Sequence, residues 1–145
     1  MIGYVTLGTN DLEKARAYYD ALFGSIGGSR LMEMDHGFTL YGTTWGRPGV
    51  AITPPYNKER ATPGNGNMIA LVMDSRERVD AFHAKALELG GSDEGAPGVR
   101  GRTGKDGERF FYGAYFRDPE GHKFCAFNIG FGEPAPASAG SEVRA

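Results

Sequence analysis

Two stretches of this chain align with each other without a gap at a shift of 64 residues. Tyr4-Val5-Thr6-Leu7 falls on Met68-Ile69-Ala70-Leu71, and Asn10-Asp11-Leu12-Glu13 falls on Asp74-Ser75-Arg76-Glu77. Further along, Ala17-Tyr18 matches Ala81-Phe82, and Leu22-Phe23 matches Ala86-Leu87. Identity is low, but apolar, capping and charged roles agree at each step. An internal repeat of this kind fixes the architecture before any single element is assigned.

Each copy opens with an apolar, strand-like stretch. Asn10 and Asp74 then stand as N-cap residues with a glutamate three positions on, the spacing of a capping box. Ala15, Tyr18, Tyr19, Leu22 and Phe23 recur at helical spacing, as do Val79, Phe82, His83, Ala86 and Leu87. Helices are therefore expected over about 11–23 and 75–89, ending at Gly24 and at Gly90-Gly91. Three strands follow in each half: Ser29–Met34, Phe38–Tyr41 and Val50–Thr53, then a weak one near Ser92–Val99, Phe110–Phe116 and Lys123–Asn128. The pattern is β-α-β-β-β twice over, an α+β fold of two tandem modules with curved mixed sheets. Module one covers about 1–55 and module two about 66–130, with a breaker-rich linker over 56–65. The glycine-rich stretch from Pro97-Gly98 to Asp106-Gly107 reads as an exposed loop, and 131–145 as a flexible tail.

Composition narrows the function. A chain of 145 residues and 15.6 kDa suits one domain built of two small halves. A formal charge of −2 lacks the basic excess of a protein that binds through phosphates, so no nucleic-acid partner is expected. No apolar run approaches the roughly 20 residues of a membrane span, and the first residues lack the basic and apolar regions of a signal peptide. The single Cys125 fits a reducing compartment. A cytoplasmic protein with a small-molecule partner is the expectation.

Several segments together resemble the vicinal oxygen chelate superfamily of glyoxalases, bleomycin-resistance proteins and extradiol dioxygenases. They are Tyr4-Val5-Thr6-Leu7 with Asn10-Asp11-Leu12, Gly64 through Ala70, Gly95-Ala96-Pro97-Gly98, and Tyr115-Phe116-Arg117-Asp118-Pro119-Glu120-Gly121. The resemblance spans roughly residues 1–130. It implies two modules whose curved sheets form a cleft, and a homodimer as the common assembly. It also implies, in the metal enzymes, a divalent ion held by one ligand from the first and one from the last strand of each module. Carried across, those positions are Tyr4, Met68 and Cys125, with Thr53 as the first-half counterpart of Cys125. Thr53 follows from matching Gly49–Thr53 to Gly121–Cys125. A hard divalent ion takes carboxylate and imidazole donors, which a phenol, a hydroxyl and a thioether replace poorly. The expectation is the family's frame without its metal or any other cofactor.

Other residues carry two readings each. Cys125 within Phe124-Cys125-Ala126-Phe127 is a small buried hydrophobe or, given an activating neighbour, a nucleophile. Strand alternation turns Tyr4 and Thr6 away from Val5 and Leu7, which places Tyr4 as a ligand contact or a general acid. Trp45 and Tyr115 are candidate pocket walls among aromatics that otherwise serve the core. The function expected is ligand binding by Tyr4, Trp45, Thr53, Met68, Tyr115 and Cys125 without metal. The alternative is a glyoxalase-like lyase or isomerase, metal-free or with a metal at other positions. A purely structural or regulatory dimer is a third possibility.

Overall fold

In the computed structural model, which describes residues 1–105 and 107–131, the helices and sheets repeat as the sequence predicts. The first half runs β1 (Tyr4–Gly8), α1 (Leu12–Gly24), β2 (Ser29–Glu33), β3 (Thr39–Gly42) and β4 (Gly49–Thr53). The second runs β5 (Ile69–Val72), α2 (Arg76–Glu88), β6 (Ser92–Thr103), β7 (Arg109–Arg117) and β8 (Lys123–Phe131). The expected tail began at residue 131, but Phe131 still belongs to β8; the rest of it, 132–145, lies outside the described residues. The two helices have 13 residues each, and their first residues, Leu12 and Arg76, are related by the same shift as the sequence repeat.

Their caps lie one residue beyond the expected ones. Asp11 accepts from the Lys14 N–H and Ser75 from the Arg78 N–H, so the residue three on is a base and no capping box forms. Asn10 is occupied elsewhere: its side-chain amide pairs both ways with the Ala61 backbone. At the other end α1 closes at Gly24, as expected. Ser25 and Ile26 continue the turn, and Gly27 takes a φ of +83° that a side chain would resist. In α2 the same role falls to Gly90, at φ +114°.

The chain divides into two units, Met1–Asn67 with Pro119–His122, and Met68–Asp118 with the segment from Lys123. In the first unit the strand order is β1-β4-β3-β2, with β1 parallel to β4 and the other pairs antiparallel. α1 covers one face. Its buried residues, Ala15, Tyr18, Tyr19, Leu22 and Phe23, recur every three or four positions and so form a single stripe. Tyr19 and Phe23 meet Tyr41 of β3 at ring distances of 6.1 and 5.5 Å. Tyr41 lies opposite Val50, and Val50 opposite Val5. Cross-strand partners share a face, so Val5 and Leu7 lie beneath the helix and Tyr4 and Thr6 on the open side. The turn from Pro119 belongs to this unit through its contacts: Glu120 accepts from the Asn10 N–H at 2.7 Å, and His122 Nε2 donates to the Gly8 carbonyl at 2.7 Å.

The second unit repeats the topology as β5-β8-β7-β6. Phe82 of α2 packs on Phe116 at 5.9 Å, and Phe116 stacks on Phe124 at 5.3 Å. Ile69 is the ladder partner of Phe124, so Ile69 and Leu71 face α2 while Ala70 and Val72 face away. β6 is the main departure from expectation. The stretch read as a loop from Pro97 continues as strand to Thr103, with register shifts between Asp93 and Gly95, Gly95 and Gly98, and Val99 and Gly101. Glycine and proline, which mark a loop by composition, here sit at bulges that absorb the extra residues without ending the pairing.

Candidate functional site

Ladder register decides which residues are equivalent on the open faces. Thr6 pairs with Ala51 in the first unit, and Ala70 with Cys125 in the second. Thr6 and Ala70 are related by the repeat, so the counterpart of Cys125 is Ala51. Thr53, the expected counterpart, is two residues further along, opposite Gly8 and equivalent to Phe127. Its hydroxyl bonds to the Pro54 carbonyl at 3.1 Å, and its own carbonyl accepts from the Thr9 N–H. Tyr4 and Thr53 lie four rungs apart, about 13 Å along the strands, so they do not converge on one atom.

Tyr4 is 52% exposed and sits edge-on to Phe38, with ring centroids 5.6 Å apart. Phe38 was not among the expected site residues, although it immediately precedes β3, whose Thr39 is buried on the helix side and accepts from Arg16 at 2.9 Å. Alternation therefore gave the signal for its open-face position. Trp45 is 63% exposed in the connection between β3 and β4. In the second unit Met68 stands just before β5, 46% exposed.

Tyr115 and Cys125, two of the expected site residues, are direct ladder partners. Burial holds the Tyr115 phenol above its ordinary range, and the neighbouring Cys125 side chain adds to the shift. Burial also pushes the Cys125 thiol up, against the pull of Tyr115, Arg100 and Lys123. At 1% exposure and with the thiol form favoured, Cys125 is a packed side chain rather than a nucleophile.

Around this pair lie two cations the sequence left unplaced. The Arg100 guanidinium sits 5.4 Å and the Lys123 ammonium 5.7 Å from the Tyr115 ring centre, within the range of cation–π attraction. Arg100 also donates to the Ala96 carbonyl. A Cβ on Gly95 would come within 3.0 Å of Tyr115 Cδ2 and 3.2 Å of Arg100 Nη2, so the bare backbone there gives the cluster its room. Lys123 was legible from alternation with Cys125. Arg100 was not, because the bulges of β6 hide which face it takes. Among the described residues no group of three or more His, Cys, Asp or Glu side chains is placed to hold a metal ion.

The paired β-α-β-β-β units define an α+β chain of the glyoxalase type. Residues 1–126 match the Glyoxalase/Bleomycin resistance protein/Dioxygenase superfamily, and the chain belongs to that family. A glyoxalase/bleomycin resistance protein from Albidiferax ferrireducens T118 is 36% identical over 88% of this chain and 98% of its own, with a TM-score of 0.75. The hypothetical protein SA1046 from S. aureus is 27% identical over 86% and 91%, with a TM-score of 0.63. A lactoylglutathione lyase from Agrobacterium tumefaciens shares the fold at 20% identity over 88% and 92%, with a TM-score of 0.56. No curated protein matches the chain. Among the described residues no helix is long and apolar enough to cross a membrane.

Proposed function

We propose that this family member binds a small organic ligand against the open sheet faces and does so without a metal. The supporting observation is the chemistry at the positions where the resemblance implies metal ligands. With the register corrected, these carry Tyr4, Ala51, Met68 and Cys125: a phenol, a methyl, a thioether and a buried thiol whose burial favours the neutral form. Such a set offers a hard divalent ion no carboxylate and no imidazole. It offers a flat or apolar ligand a good deal: Tyr4 against Phe38, Met68 beside β5, and the ring of Tyr115.

The experiment has two arms. A thermal-shift screen of aromatic and thiol-conjugated compounds should find ligands that stabilise the wild type but not Tyr4→Ala or Met68→Glu. A lactoylglutathione-forming assay with added zinc, nickel, iron or manganese should give no turnover. Robust metal-dependent turnover in that assay would replace the binding reading with the lyase one.

A further inference from the structure

We infer that Arg100 and Lys123, gathered over the Tyr115 ring, form a subsite for the carboxylate of a small organic acid. This rests on the ligand-binding reading above and names the ligand's charge and shape. Both cations reach the same ring, at 5.4 and 5.7 Å from its centre. Among the described residues neither makes an ion pair, whereas the third cation of the neighbourhood, Arg117, is taken by Glu94. The adjacent acids are already committed. Glu94 serves Arg117, and Asp93 accepts from His83 and from the Gly95 N–H at 3.0 and 2.9 Å.

The negative face of a ring compensates only part of the charge of a cation near it. A monoanion within reach of both gains charge-assisted hydrogen bonds from the guanidinium and the ammonium. Tyr115 does not supply the anion, since burial, helped by the neighbouring Cys125, pushes its phenol above the ordinary tyrosine range. The donor set, one planar fork with an N–H already given to Ala96 and one ammonium, matches a carboxylate.

The rest of the face gives the ligand its other end. Lys123, Cys125, Phe127 and Ile129 alternate onto the same side of β8. Phe127 stacks on Phe111 at 5.1 Å and 9° between planes, and Ile129 is exposed. From Lys123 to Phe127 is about 13 Å along the strand. The face therefore runs from cationic to apolar along β8.

The test compares benzoate and phenylacetate with their neutral amides, and with inorganic phosphate, by isothermal titration against the full chain. The carboxylates should bind at least about tenfold more tightly than the amides, with an affinity that falls as salt rises. Arg100→Gln and Lys123→Gln should each remove most of that advantage while leaving amide binding unchanged, and Lys123→Arg should retain it. Thermal melting checks that the variants fold. Equal binding of acids and amides overturns the carboxylate subsite and leaves ligand binding standing. Preference for phosphate over benzoate overturns the choice of carboxylate. Absence of binding by any probe overturns the subsite, while the stabilising ligands of the wider screen decide the binding reading separately.

Discussion

One rung of the repeated ladder carries two different chemistries in the two units. On the open side the first unit sets Thr6, Ala51 and Leu40 in a row, and the second sets Ala70, Cys125 and Tyr115. On the helix side the neighbouring rung sets Val50 with Tyr41, and Phe124 with Phe116. Tyr41 reaches Tyr19, and Phe116 reaches His83, at 6.1 and 6.4 Å; Tyr19 and His83 are themselves equivalent by the repeat. The first unit thus keeps its polar work under the helix, where Tyr41 donates to Asp20 at 2.8 Å and Arg30 grips the same carboxylate. The second unit makes its helix-side rung apolar and places phenol, thiol and two cations on the open side. Backbone pairing survived in both halves because it depends on register and burial. The open-side rows differ in chemistry even though Leu40, Ala51 and Cys125 are themselves buried.

The largest expected effect lies at the apolar rung. Phe116 has no exposed surface and packs between Phe82 and Phe124. Phe116→Ala should lower the unfolding free energy by about 3–5 kcal/mol, read from urea denaturation. On the open side Val72, 74% exposed, should tolerate alanine within about 0.5 kcal/mol. A loss below about 1 kcal/mol at Phe116 would mean that this rung is not the second unit's core.

What the sequence disclosed follows the same division. Helix positions were legible because an apolar stripe recurring at three and four residues has one structural solution, and the repeat supplied it twice. The caps were misplaced by one because Asn10 and Asp11 are both good cap residues. Only the tertiary bond from Asn10 to Ala61 decides between them. β6 was shortened because glycine and proline count against a strand unless bulges are known in advance. The error at Thr53 has a related cause. Its register is set by how the connection from β3 to β4 closes, and the alignment to Cys125 carried no such information. For the same reason Arg100 could not be assigned to a face.

The next effect is smaller and tests the polar rung. Tyr41→Phe keeps the ring among Tyr19 and Phe23 and removes only the hydroxyl, so it should cost about 1 kcal/mol. Tyr112 donates likewise to Asp80 of α2 at 2.7 Å, with Arg76 over its ring, but at a more exposed position. Tyr112→Phe should cost no more than half as much as Tyr41→Phe. An equal or larger loss at Tyr112 would show that burial does not separate the two tyrosine–aspartate bonds.

The smallest effect is a pH dependence in the first unit. The Arg30 hydrogen bond, with help from Tyr41, holds the Asp20 carboxyl below its ordinary value despite partial burial. A carboxyl more acidic in the folded chain takes up its proton first in the unfolded one. Its contribution is therefore present above the ordinary carboxylate value, about 3.9, and fades as the pH falls through the lower folded value. Tyr41 works in the opposite direction. Burial and the Asp20 carboxylate push its phenol well above the usual tyrosine range, so its contribution is complete below about pH 10 and fades as the pH rises further. Asp20→Asn should thus be less stable than the wild type at neutral pH, with the gap narrowing below about pH 4. Denaturation curves at pH 3, 4, 5 and 7 would measure it. Since Asp20 is nearly half exposed and its pair with Arg30 is screened by salt, the gap should shrink in high salt at every pH. Parallel curves for the two proteins across the acid range would show that the polar rung, unlike the apolar one opposite, contributes geometry rather than stability.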